Sequence, residues 1–258
     1  MNNCLPVALE IKDEDKSRIK YINNDYIVDL VAFIINNSDF IVYFNDIIYN
    51  CYSFEELKES EELARFTTEN MSERNKDLKN FEFLELIFDF YLHFTEINQI
   101  GNARGALLER LTLLLICERY IQSEKDIYLP IENEDLFENC VIGIDCKIHI
   151  VHRNWTTKDP IDIVGWNKDQ KFGETYECKI KFRKIQKSDA KILSSLKEMI
   201  SKSEGIDDFL VGIITLDSKS AIANQLNFID YGFDFENSGV EFFGREDFHR
   251  VENYFSNN

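Results

Sequence analysis

Asp162, Glu177 and Lys179 are the residues whose types and spacing fit chemistry. In GETYECKIKF, read as a strand, alternation puts Glu177, Lys179 and Lys181 on one face and Tyr176, Cys178, Ile180 and Phe182 on the other, so a carboxylate and an ammonium project side by side. A Glu two residues before a Lys on a strand is by itself an ordinary solvated pair. Asp162 changes that reading. Fourteen residues separate it from Glu177, and its own stretch is otherwise apolar Ile161, Ile163, Val164 and Trp166, where an unpaired carboxylate is costly. Carboxylate oxygens are hard donors suited to Mg²⁺ or Mn²⁺, and an adjacent amine can orient or deprotonate water. Together these groups suit hydrolysis at an anionic centre.

The elements that must position them follow from periodicity. GNARGALLERLTLLLICERY reads as a helix buried on most of its circumference. Glu109 shares a face there with Gly105, Ala106, Leu113 and Ile116, so its carboxylate either reaches solvent or an arginine, or faces a cation in a site. NCVIGIDCKIHIV, DPIDIVGWN and GETYECKIKF read as strands, separated by the turn-like NWTTKD and NKDQKFG. SDAKILSSLKEMISKS reads as an amphipathic helix burying Ile192, Leu193, Leu196, Met199 and Ile200 and capped by Ser188, and FLVGIITL as a strand buried on both faces. The order is helix, three strands, helix, strand.

Pro160-Ile161-Asp162 followed by Glu177-Cys178-Lys179 resembles the PD-(D/E)xK motif of the restriction-endonuclease-like superfamily, and the element order resembles its αβββαβ core over roughly residues 101 to 216. The resemblance implies an α/β fold and a metal-dependent nuclease. In that reading Asp162, Glu177 and the backbone carbonyl of Cys178 hold Mg²⁺ or Mn²⁺, Glu109 joins through water or at a second metal position, and Lys179 orients or deprotonates the attacking water and meets the phosphate. It does not cover the first hundred residues, which read as a mainly helical region, 1–98, ahead of a nuclease-like region, 99–258. In that first region DYIVDLVAFIINN and FEELKESEELARF have helical spacing, DFIVYFNDIIY reads as a strand pair, and the aromatics from Phe81 to Phe94 as helix core.

Charge sharpens the expectation about partners. The net charge is −18, yet from Cys178 to Lys202 eight basic residues face two acidic ones, which leaves −24 on the remainder. Lys181, on the catalytic face, and Lys184, Lys187 and Lys191, leading along the next helix, are therefore expected to track a nucleic-acid backbone, DNA before RNA. An acidic remainder does not bind duplexes freely, so by analogy with bacterial restriction and anti-phage systems a sensor or motor subunit is the expected protein partner. Without a leader-like apolar segment or a run long enough to span a bilayer, a soluble cytoplasmic protein without membrane partners is expected. Six dispersed cysteines suggest neither disulfides nor zinc. No phosphate-binding glycine loop or nucleophile elbow occurs. The reading from a different class is a non-catalytic acidic binding protein, such as an immunity-like nuclease inhibitor.

Overall fold

The computed structural model describes residues 8–12, 16–71, 77–117, 120, 139–229 and 231–248; Cys4 and His249, and the side chains of Ile116 and Cys117, lie outside them. β1 (Leu9–Lys12), α1 (Lys16–Ile22), α2 (Asp25–Asn36), α3 (Ile41–Asn50), α4 (Phe54–Glu59), α5 (Glu61–Asn70), α6 (Leu78–His93) and α7 (Ile97–Cys117) come first. β2 (Cys140–Ile150), β3 (Trp155–Thr156), β4 (Ile161–Asn167), β5 (Phe172–Lys179), α8 (Lys187–Ser201), β6 (Asp208–Thr215), α9 (Lys219–Phe228), β7 (Glu241–Phe243) and α10 (Arg245–Phe248) follow.

One local expectation is corrected and one is met in two pieces. DFIVYFNDIIY is not a strand pair but a 3₁₀ turn, Ser38–Phe40, running into α3. Ile41, Phe44, Ile47 and Ile48 recur at helical spacing and are all buried, and a short apolar run satisfies both periodicities until packing decides. FEELKESEELARF breaks at Ser60, whose hydroxyl accepts the Leu63 N–H and so caps α5, as Ser53 caps α4 by accepting the Glu56 N–H.

The strands form a mixed α/β sheet of order β1-β2-β4-β5-β6-β7, with β3 paired to β2. Neighbours are antiparallel as far as β5; β5, β6 and β7 are parallel, with α8 making the crossover from β5 to β6. One face carries α7 and the N-terminal helices, which share a core with Ile142, Ile144, Ile163, Tyr176 and Ile214. The other carries α8, whose Leu193, Leu196 and Ile200 pack with Ile161, Val164, Val211 and Ile213. Phe83, Phe90, Tyr91 and Phe94 are helix core as expected, whereas Phe81 is exposed.

One irregularity positions the site. Cys140, Ile142 and Ile144 of β2 join the core under α7, but Cys146, Ile148 and Ile150 join the core under α8, so the strand exchanges faces at Asp145. Asp145 has φ 45°, in the left-handed region that a β-residue avoids. β4 does the same at Asp162, between Ile161 under α8 and Ile163 under α7. The ladder pairs Ile144 with Ile163 and Cys146 with Ile161, which sets the two aspartates opposite one another where it is interrupted.

The expected division between residues 98 and 99 falls within the first turn of α7, and the region before it is built into the sheet. β1 pairs along β2, from Leu9 with Ile150 to Lys12 with Lys147. Arg104 of α7 donates to the carbonyls of Ile48 and Tyr49 at the end of α3, at 2.7 and 3.0 Å, and Tyr49 Oη donates to Asp217 Oδ1 just past β6 at 2.8 Å. Among the described residues no single helix is long and apolar enough to cross a membrane; α2 and α3 pass that test only as a pair bent by 110°.

Gly165 of β4 leaves room for the buried Tyr120 ring: a Cβ there would stand 2.6 Å from a ring carbon. Gly165→Ala is expected to destabilise the fold by about 1–3 kcal/mol through overpacking, read as a lower midpoint in urea unfolding. An unchanged midpoint would mean that Tyr120 moves aside without cost.

Candidate active site

β4 and β5 separate where the chemistry is expected. Their ladder runs from Asn167↔Phe172 to Ile163↔Tyr176 and stops short of Asp162. The Asp162 carboxylate takes over: its Oδ2 accepts the Cys178 N–H at 2.7 Å, so a side chain replaces a backbone carbonyl as partner. Lys179 lies beside it. Its Nζ is ion-paired with Glu177 Oε1, 3.9 Å from Asp162 Oδ2 and 4.0 Å from Asp189 Oδ2. Asp162, Glu177 and Lys179 are thus brought together, with the Cys178 backbone between them.

Asp189 is a member that sequence reading missed. It is the third residue of α8 and accepts the Gln186 N–H at 3.0 Å in a reciprocal capping box, so Gln186, not Ser188, caps the helix. A capping carboxylate is a legible signal, but the fold had to bring that helix end to Lys179.

An open cleft of about 450 Å³ begins at Asp162, Cys178 and Lys179 and extends to Arg18, Glu109 and Asp145. Glu109 therefore does face the site, and it meets an arginine there. Arg18 of α1 donates to both of its oxygens, with Nε 2.8 Å from Oε2 and Nη2 paired to Oε1. Neither Arg18 nor Asp145 was singled out from the sequence.

The site is crowded with negative charge that burial makes costly. Burial, then the charge of Asp162, raises Glu177 to about 8 although Lys179 pulls it down. Burial raises Glu109 to about 7, against the hydrogen bond from Arg18. Asp162 is raised by burial, with Lys179 and the Cys178 N–H opposing, and burial pushes the Cys178 thiol well up. Burial alone would lower Lys179, but Asp162, Glu177 and Asp189 outweigh it and hold the ammonium charged.

These carboxylates are the hard donors a divalent cation takes, and their raised pKa values mark the charge it would relieve. Their oxygens are turned to Lys179, Arg18 and the Cys178 N–H. Among the described residues no three His, Cys, Asp or Glu side chains converge as a ligand set. The donor set fits such an ion in kind and charge, and holding one requires side-chain rotation away from the resident cations.

The expected basic strip divides. β5 ends at Lys179, and the 3₁₀ turn Phe182–Lys184 carries Phe182 into the core under α8, so neither Lys181 nor Phe182 keeps its expected strand face. Lys181 is buried with its ammonium 4.1 Å from the Tyr49 ring centre and 5.2 Å from that of Tyr52, a cation–π contact that removes it from the surface set. Lys184, Lys187 and Lys191 are exposed.

No family model and no curated protein matches the chain. Among solved structures, protein VC1899 from Vibrio cholerae is similar at 8% identity, with a TM-score of 0.37 over 97% of this chain; the chain spans 58% of that protein.

Because Glu177 and Glu109 titrate near 8 and 7 when folded against a usual 4.5, the folded protein binds more protons than the unfolded chain between those values. Their contribution to stability is complete below about pH 4.5 and is lost as pH rises through about 7 to 8. Calorimetry in EDTA is expected to show melting temperature falling over that window, with a shallower fall in Glu177→Gln. An equally steep fall in the variant would place the titration elsewhere.

Proposed function

We propose that the chain is a metal-dependent nuclease of the PD-(D/E)xK type, cleaving phosphodiester bonds in DNA in preference to RNA. The observation that carries this reading is the Asp162–Glu177–Lys179 cluster where β4 and β5 separate, with Asp162 Oδ2 held by the Cys178 N–H and 3.9 Å from Lys179 Nζ. The sequence of α7, β2, β4, β5, α8 and β6 around it supports the restriction-endonuclease-like core. Asp162, Glu177 and the Cys178 carbonyl are the groups that would hold Mg²⁺ or Mn²⁺. When bound, the cation supplies Lewis acidity and a water nucleophilic near neutral pH.

The remaining work falls to the chain's own groups. Lys179, held charged by three carboxylates, is suited to neutralising the phosphate and orienting water more than to removing a proton, which modifies the role first expected of it. The Cys178 N–H fixes the orientation of Asp162. Lys184, Lys187 and Lys191 are exposed along the turn after β5 and the first turns of α8, and offer a cationic track for a nucleic-acid backbone. With −18 overall, the chain depends on that track and on a partner, a sensor or motor subunit, for DNA affinity.

Asp162→Ala, Glu177→Ala and Lys179→Ala are each expected to remove nearly all cleavage of plasmid DNA in Mg²⁺ or Mn²⁺, while circular dichroism shows a retained fold. Cleavage at the wild-type rate by any of them would refute the assignment. If the wild type cleaves neither DNA nor RNA and its melting temperature ignores both metals, the non-catalytic binding protein becomes the reading.

The track is tested separately with Lys187→Glu/Lys191→Glu. DNA affinity is expected to fall for all sequences, and the log–log salt dependence to flatten by about one unit per lost phosphate contact. An unchanged salt slope in filter binding would move the DNA surface off α8.

A further inference from the structure

Arg18 is the group in the cleft for which the strand motif gives no role. It comes from α1, in the region that the sequence resemblance leaves uncovered, yet it lines the same cleft as Asp162 and Lys179. Its guanidinium is oriented by a two-point contact with Glu109, whose side chain is 5% exposed, while that of Arg18 is 22% exposed. A guanidinium has more donors than Glu109 takes, and two-point anchoring directs the remainder. The adjoining wall of α7 is kept low. A Cβ at Gly105 would stand 3.4 Å from Arg18 Nη2, and one at Gly101 would meet nothing within 4 Å. Glycine is the poorest helix former after proline, so Gly105 trades helix propensity for open space beside the arginine, and Gly101 leaves the same cleft lining without a side chain.

Charge gives this placement a purpose. Asp145 and Asp162 line the cleft and repel a phosphodiester, and among the described residues Arg18 and Lys179 are its lining cations. They reach it from different elements, α1 and β5, so a phosphate in the cleft has a cation from each of them on its lining.

We propose that Arg18 is a catalytic residue that contacts the substrate, its guanidinium binding non-bridging oxygens of the phosphodiester presented to Lys179. Glu109 is then a positioning residue: both of its oxygens orient Arg18, which replaces the role in metal binding expected of it from sequence. This rests on the nuclease reading, and it gives the N-terminal region a part in the site.

The test separates phosphate contact from structure and from metal binding. A fluorescein-labelled oligodeoxynucleotide is titrated by anisotropy in Ca²⁺, and Mn²⁺ alone by calorimetry, for the wild type, Arg18→Lys, Glu109→Gln and the double variant Arg18→Gln/Glu109→Gln. The double variant removes both charges, so no buried carboxylate is left unpaired. It is expected to lose about tenfold or more in oligonucleotide affinity, the scale of a bidentate charge-assisted contact, with Mn²⁺ affinity unchanged. Arg18→Lys recovers only part of the loss, because an ammonium lacks the planar fork. Glu109→Gln, which keeps the Arg18 charge but loosens its orientation, is expected to raise KM for cleavage and to be rescued by Glu109→Asp. A folded double variant, or a folded Arg18→Lys if the double does not fold, with wild-type oligonucleotide affinity overturns the role of Arg18 and leaves the nuclease reading standing. Loss of Mn²⁺ binding in Glu109→Gln returns Glu109 to the metal and overturns its positioning role. A wild type that neither binds nor cleaves overturns both readings together.

Discussion

The site depends on two neighbouring strands exchanging faces at the same level. In β2 and β4, residues on either side of Asp145 and Asp162 point into opposite cores, and the ladder between the strands is interrupted at that pair. A regular strand would have sent each aspartate into one of the two apolar layers, where an unpaired carboxylate is costly by several kcal/mol. The crossover turns both toward the cleft instead, and the irregular backbone it needs is visible as the left-handed conformation of Asp145. The separation of β4 from β5 follows, because Asp162 then meets the Cys178 N–H with its side chain.

Charge compensation is divided among parts of the chain that are distant in sequence. Lys179 serves Glu177, Asp162 and Asp189; Arg18 serves Glu109. Each cation belongs to a different element, so the cleft is electrostatically complete only when α1, α7, β5 and the start of α8 are all in place. Burial keeps the carboxylates above their ordinary range even so, because among the described residues they outnumber the cations beside them. Such a cleft attracts a cation by itself, whereas an anionic substrate needs the fixed cations beside it.

What could be read from the sequence was local. Glu177 and Lys179 are two residues apart on one strand, and Asp162 is on the strand before it, so period-two alternation and one short connection were enough to unite them. The alternation of helix, strands, helix and strand was legible for the same reason. The exchange of faces was not, because IGIDCKIHI keeps its alternation through Asp145 while both faces of the sheet are covered by apolar layers. Lys181 was misplaced because the strand stops three residues earlier than its alternating pattern does, and nothing in KIKF marks the turn. Arg18 lies in a stretch of ordinary charged residues, and only the return of α1 onto α7 gives it a partner ninety-one positions away. Asp189 was readable as a helix cap, but its second contact, with Lys179, belongs to the tertiary structure.

The pairing of β1 with the far end of β2 bears on how the molecule assembles. Leu9 meets Ile150, so β1 has no partner until the long helical stretch and all of β2 exist, and closing so large a loop is entropically slow compared with forming hairpins and helices. β2, β4 and β5 are joined by short connections and can pair early, which gathers the acidic strand ends first. Arg18 lies in α1, the helix after β1, and reaches Glu109 across ninety-one positions, itself a long closure though shorter than that of β1 onto β2. The acidic ends of β4 and β5 can therefore gather through short connections, whereas the arginine beside them is delivered only through a long-range closure.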